Sequence, residues 1–223
     1  MYNPFMAKLK PKDLLLFNEF LSDDKLSLDA IYDKYIKKNL PDTLILAMVY
    51  QKPAMLSIIP KPSLESVEVA VKLNPNNIKY LGTTEIWYAK LPENLATNVV
   101  RADPLNILWL KNPSKKVQLL AVSKNYLAFS RIKDPHDDVQ LFIADKDPLQ
   151  LGTLPEPSTE AVLLAISKNP LVIDKLKSPT DYIYHVCKMA GIPQQKDAWK
   201  TMKQAQEVLS GMIKKNQKIN VNV

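Results

Sequence analysis

The chain has 223 residues, 46% of them hydrophobic and 24% charged, with a formal net charge of +7, the make-up of a globular protein and not of a disordered one. Four glycines against seventeen prolines argue against glycine-rich phosphate loops and point to short helices punctuated by proline. One cysteine, Cys187, excludes an internal disulfide, and no apolar run approaches the ~18 residues of a membrane span.

In chain order, the N-terminal stretch "MYNPFMAKLKPKD" lacks an apolar signal core, so an intracellular, cytoplasmic protein is expected. Residues 1–40 then read as a helical cap. "PKDLLLFNEFLSDD" and "SLDAIYDKYIKKN" carry the stripes Leu14/Phe17/Leu21 and Leu28/Ile31/Tyr35.

From residue 41 the chain repeats itself. "LAMVYQKPAMLSIIPKP" (46–62), "EVAVKLNPNNIKYLGTT" (68–84) and "TNVVRADPLNILWLKNP" (97–113) are followed by "LLAVSKNYLAFSRIKDP" (119–135), "LFIADKDPLQLGTLPEP" (141–157) and "LLAISKNPLVIDKLKSP" (163–179). Their starts are spaced 22, 29, 22, 22 and 22 residues apart, and a further 22 reaches a degenerate copy, "HVCKMAGIPQQ", at 185. A fixed period of this size is the signature of stacked units.

Each period holds two marks. The first is Asn112-Pro113, Asp134-Pro135, Glu156-Pro157 and Ser178-Pro179; the second is Asn74-Pro75, Asp103-Pro104, Asp147-Pro148 and Asn169-Pro170. A capping side chain before a proline at the first helical position starts a helix. Asp134 with Asp137, and Ser178 with Asp181, resemble capping boxes. The expected repeat is a helix of about eleven residues followed by a shorter 3₁₀ or helical turn of about eight, with helices starting near Pro113, Pro135, Pro157 and Pro179. Its apolar positions are Val117, Leu119, Leu120, Ala121 and Val122, or Ala161, Leu163, Leu164, Ala165 and Ile166. Ile78, Ile107, Leu110, Ile132, Ile173 and Leu176 serve the short element. One such unit cannot bury its own apolar face, so units must stack. The predicted fold is all-α: an α-solenoid of 22-residue two-helix repeats over 41–190, with N- and C-terminal helical caps.

The pattern carried by "PSKKVQLLAVSKN", "PHDDVQLFIADKD" and "PSTEAVLLAISKNP" resembles the short helical repeats of bacterial and bacteriophage proteins grouped as a domain of unknown function. The resemblance covers roughly residues 41–190. It implies a helical array, phage-encoded and working in the host cytoplasm, and transfers no enzymatic activity.

The 29-residue step inserts "EIWYAKLPEN", the insertion near 85–91. Insertions in repeat arrays emerge as loops on one face, and Trp and Tyr are favoured anchors. Trp87 and Tyr88 are therefore partner-binding candidates, one expected to fill the gap in the array and the other to be exposed. Residues 191–223 form a basic amphipathic helix and tail. Trp199, Met202, Ala205, Leu209, Met212 and Ile213 share one face, with Lys196, Lys200, Lys203 and Lys214 opposite. Those lysines read either as the solvated face of a cap or as a site for an anionic partner.

Charge separates the two kinds of partner. Residues 63–184 hold 14 Lys/Arg and 14 Asp/Glu, whereas 185–223 hold seven and two. A phosphate-tracking groove is basic along its length, so nucleic acid is the alternative, reached through the C-terminal end, and a protein partner leads. No catalytic, cofactor or metal site is expected. In "DPHDD", Asp134, His136 and Asp137 stand at cap and first-turn positions, where acids suit the helix dipole. Cys187 falls where Ala70, Ala121 and Ala165 stand in other repeats, a packing position, and His185 has no identifiable triad partners. The oligomeric state is left open.

Overall fold

A computed structural model describes residues 3–83 and 91–177. Among them all regular structure is helical. Eight α-helices run Pro11–Ser22 (α1), Leu28–Lys34 (α2), Asp42–Gln51 (α3), Leu64–Leu73 (α4), Glu93–Ala102 (α5), Lys115–Lys124 (α6), Asp137–Lys146 (α7) and Thr159–Lys168 (α8). From α3 onward each α-helix has ten residues and is followed by a 3₁₀ segment: Pro53–Ser57, Pro75–Thr83, Pro104–Trp109, Tyr126–Arg131, Pro148–Thr153 and Pro170–Lys175. Helices α3 to α8 begin at 42, 64, 93, 115, 137 and 159, the same 22- and 29-residue steps as in the sequence.

The chain divides into two units, Met1–Pro113 and Ser114–Val223. In the first, α1 packs on α3, α3 on α4 and α4 on α5, while the 3₁₀ segments 53–57, 75–83 and 104–109 pack on one another in order. In the second, α6 packs on α7 and α7 on α8, and segments 126–131, 148–153 and 170–175 do the same. Helix thus neighbours helix and 3₁₀ segment neighbours 3₁₀ segment.

The same repeat positions supply the core. In the α-helices Met48, Ala70, Val99, Ala121, Ile143 and Ala165 are buried, as are Val49, Val71, Val100, Val122, Ala144 and Ile166. In the 3₁₀ segments Leu56, Ile78, Ile107, Phe129, Leu151 and Ile173 are buried, and three residues on so are Ile59, Leu81, Leu110, Ile132 and Leu154. Leu120 and Leu164, expected inside, are only half-buried, as is Leu176. In α1 the buried residues are Asp13, Phe17 and Phe20. Leu21, expected in that stripe, is exposed: Asp13 and Phe20 both lie to one side of Phe17 and the buried face is centred between them, while Leu21 lies to the other side.

Capping follows a different rule from the one expected at the first mark. The helices start two residues after the proline, not at it. Ser114 and Ser158 are the N-caps, their hydroxyls accepting from the Val117 and Ala161 N–H groups at 3.4 Å. Ser63 does the same for Ser66 at 3.2 Å. Neither Asn112 nor Asp134 caps: Asn112 takes a left-handed conformation (φ 48°), and the cap of α7 is His136, with no side-chain bond. Proline here stands just outside the helix, one residue before the N-cap, with its φ fixed by the ring. The second mark behaves as expected at Asp103 and Asn169, whose side chains accept from Leu105 (2.9 Å) and Leu171 (3.1 Å) with proline at the first helical position. Asn125 makes the same bond to Leu127 at 3.0 Å although Tyr126 replaces the proline. Ser178 and Asp181 lie outside the described residues.

Side-chain amides stitch the repeats. In the second unit buried Gln118 accepts from the His136 N–H (3.0 Å) and donates to the Asp134 carbonyl (3.3 Å). Gln140, 22 residues on, accepts from the Ser158 N–H (2.7 Å) and donates to the Pro135 carbonyl (3.0 Å). In the first unit Asn77 and Asn106 donate to the carbonyls of Ala70 (2.9 Å) and Val99 (3.3 Å), and Asn106 also donates to Asn76 Oδ1 (2.9 Å). The glutamines bond backbone groups at helix starts, where intrahelical partners are lacking, whereas the Ala70 and Val99 carbonyls also accept from the Asn74 and Asp103 N–H groups at 3.1 and 3.2 Å.

Gly152 marks a close approach between the segments 148–153 and 170–175. A Cβ there would lie 2.6 Å from Lys175 Cβ and 2.8 Å from the Lys175 carbonyl oxygen. Gly152→Ala should therefore destabilise by about 1–3 kcal/mol through overpacking. Urea unfolding measures it, and a midpoint unchanged from that of the parent would contradict the packing described.

Candidate functional site

The residues that the sequence singles out for binding — Trp87, Tyr88, Lys196, Lys200, Lys203 and Lys214 — all lie outside the described residues, as do His185 and Cys187. The described surface offers a different set. The second residue of each 3₁₀ segment in the second unit is a leucine: Leu127, Leu149 and Leu171, spaced by 22. Leu127 is 58% exposed and Leu149 40%, while Leu171 is half-buried. Leu105, at 36%, holds the same position in the first unit.

Geometry explains why these leucines face outward. A 3₁₀ helix has three residues per turn, so Phe129 and Ile132 share one side and are buried, whereas Leu127 stands on another. The bond from its N–H to Asn125 Oδ1 holds its backbone in place. A second apolar row runs beside the first on the α-helices: Leu120, Phe142 and Leu164, all half-buried. Tyr126 links the two rows, its ring edge-on to Phe142 at 6.3 Å.

Lysines accompany the rows at the same period. Lys124, Lys146 and Lys168 are the last residues of α6, α7 and α8. Asp145 sits between two of them, at 2.7 Å from Lys168 and 3.0 Å from Lys146. The hydrogen bond from Lys168, then that from Lys146, holds the Asp145 carboxyl below the usual range, and the Asp145 bond pushes Lys146 up. One carboxylate shared by two ammonium groups leaves the row positive.

The "DPHDD" stretch is structural in its contacts. Asp137 and Asp138 occupy the first turn of α7, and Asp138 accepts from Lys115 at 2.6 Å. The His136 N–H donates to Gln118. Among the described residues no group of three or more His, Cys, Asp or Glu is arranged to hold a metal ion, and no helix is long and apolar enough to cross a membrane.

One further polar cluster lies between α1 and α2. Asp23 accepts from Lys34 (2.6 Å) and from the Tyr35 hydroxyl (2.5 Å), and Lys34 also meets Glu19 at 2.8 Å. The Lys34 bond, then the Tyr35 bond, lowers the Asp23 carboxyl. Burial, reinforced by the Asp23 hydrogen bond, raises the Tyr35 phenol to about 12. A raised folded-state value stabilises below the ordinary 10 and is lost as pH rises toward 12. The lowered Asp23 acts oppositely, stabilising above its ordinary 3.8 and failing as pH falls below it. Tyr35→Phe should flatten the alkaline limb of stability and Asp23→Asn the acid limb. Denaturant midpoints measured across pH check both, and limbs identical to the parent would contradict the network.

Comparison of the chain with protein-family models, curated protein sequences and solved structures gives no match. The surface itself carries the functional argument.

Proposed function

We propose that the chain is a non-enzymatic α-solenoid of 22-residue two-helix repeats that binds another protein, a phage-encoded accessory factor acting on a host component in the cytoplasm. The observation that carries the protein-binding reading is the exposed leucine row. Apolar side chains at one position of successive 3₁₀ segments, two of them exposed and one half-buried, form a row of the kind that marks interaction surfaces. The array reading rests on a ten-residue helix followed by a 3₁₀ segment, recurring at steps of 22 and 29 residues in the first unit and of 22 residues in the second. The phage setting rests on the sequence resemblance alone.

The test is affinity capture by the full chain from nuclease-treated bacterial lysate at moderate salt, with mass spectrometry. A discrete protein retained after the nuclease step is expected. Retention that nuclease abolishes, together with steep salt dependence on immobilised DNA or RNA, would replace this reading with nucleic-acid binding through the C-terminal lysines. Trp87→Ala and Tyr88→Ala, assayed against the captured protein, show whether the insertion contributes an anchor.

A further inference from the structure

We propose that the face of the second unit formed by Leu127, Leu149 and Leu171 with Lys124, Lys146 and Lys168 receives an acidic amphipathic α-helix of the partner protein. The proposal rests on the protein-binding reading and specifies its occupant.

Spacing selects the shape of the occupant. Packed neighbouring helices lie about 8–10 Å apart, so equivalent leucines of successive repeats recur at about that distance. An α-helix returns a side chain to the same face every seven residues, or about 10.5 Å. A β-strand does so about every 6.6–6.8 Å and falls out of register after one step. A polyproline helix, at about 9.3 Å per turn, matches in length but docks on aromatic-lined grooves. Here the row is aliphatic; Tyr126 stands beside it, and Phe129 of the same segment is buried.

Charge selects the chemistry. Each lysine precedes its leucine by three residues, within about 11 Å along the chain. Asp145 is already engaged by two of the three lysines, and Asp147, at the neighbouring cap position, makes no side-chain cap bond. The three lysines and the 3₁₀ segments 126–131, 148–153 and 170–175 together hold Lys124, Arg131, Lys146, Lys168 and Lys175 against Asp145, Asp147 and Asp174, five positive groups and three carboxylates, so this face is locally positive although residues 63–184 are balanced. Glutamates flanking a leucine heptad complement it; lysines in those places are repelled.

The probe is a fluorescein-labelled synthetic helix of about 21 residues, with leucine every seventh position and glutamate on the flanks. Fluorescence anisotropy should show saturable binding to the full chain, weakening with salt. The protein variant Leu127→Ser/Leu149→Ser/Leu171→Ser should bind about tenfold or more weakly, and Lys124→Gln/Lys146→Gln/Lys168→Gln should lose much of the salt dependence. Because Leu171 is half-buried, the single Leu127→Ser variant, checked for an unchanged melting temperature, guards against misfolding. No binding of the acidic probe, equal binding of its lysine-for-glutamate version, or unchanged binding by the leucine variants would overturn the proposal. A captured protein that the triple leucine variant retains undiminished overturns this face but leaves the protein-binding reading standing. A chain that captures no protein overturns that reading, whether or not the probe binds.

Discussion

Replacing Phe129 by alanine should lower the unfolding free energy by about 3–5 kcal/mol, the range for deleting a buried aromatic ring. Phe129 has no exposed surface and is among the largest fully buried side chains of the second unit. Its repeat equivalents are the smaller Leu151 and Ile173, so the space around it is shaped for a ring. The backbone of its 3₁₀ segment is fixed at one end by Asn125 and at the other by the Ile132 N–H bonded to Phe129 itself, which limits collapse onto the cavity. Leu127→Ala, two residues away but exposed, should change stability by no more than about 0.5 kcal/mol. Urea denaturation of both variants makes the comparison. Similar losses in the two would mean that the buried and exposed sides of this segment are assigned wrongly.

Gln140→Leu should have the next largest effect, about 2–4 kcal/mol. The substitution nearly conserves volume but strips a buried backbone group, the Pro135 carbonyl, and a part-buried one, the Ser158 N–H, of their side-chain partner. Each unsatisfied group costs about 1–3 kcal/mol. Gln140→Glu separates the two roles. It keeps an acceptor for Ser158 but aims an oxygen at the Pro135 carbonyl, so it should be tolerated better at low pH, when the carboxyl is protonated and can donate. If leucine proves harmless, water or a backbone shift replaces the amide, and the link between repeats is weaker than its 2.7 Å bond indicates.

These two residues also show what the sequence can reveal. Phe129 stands in a register that the 22-residue period makes visible, and the recurring apolar positions follow from counting. Gln140 is invisible to the same method, since a polar residue in a helix reads as surface until its backbone partners are known. The start of α6 was displaced by two residues because Asn-Pro and Ser each signal a cap, and only the Ser114 hydroxyl reaches the helix. Leu21 and Phe20 are neighbours in sequence, and nothing short of the packing of α1 distinguishes which turns inward. The leucine row draws no notice in the sequence, where Leu127, Leu149 and Leu171 are placed neither in the core nor at a site; the tighter winding of the 3₁₀ segment turns Leu127 and Leu149 out. The two aromatics and four lysines favoured from sequence lie outside the described residues, so the face argued here and those positions answer to separate experiments.

The amide bonds between repeats have a bearing on how the chain finds its structure. Gln118 to His136 and Gln140 to Ser158 each span 18 residues, Asn106 to Asn76 spans 30, and even Asn3, bound to the Ala47 carbonyl, reaches only 44 residues along. Partners so near in sequence meet by closing small loops, with little entropy lost in the search. Low contact order is associated with folding in microseconds to milliseconds. A nucleus of two adjacent repeats, clasped by one glutamine, then becomes a template on which the next can dock during synthesis, before the rest of the chain has left the ribosome.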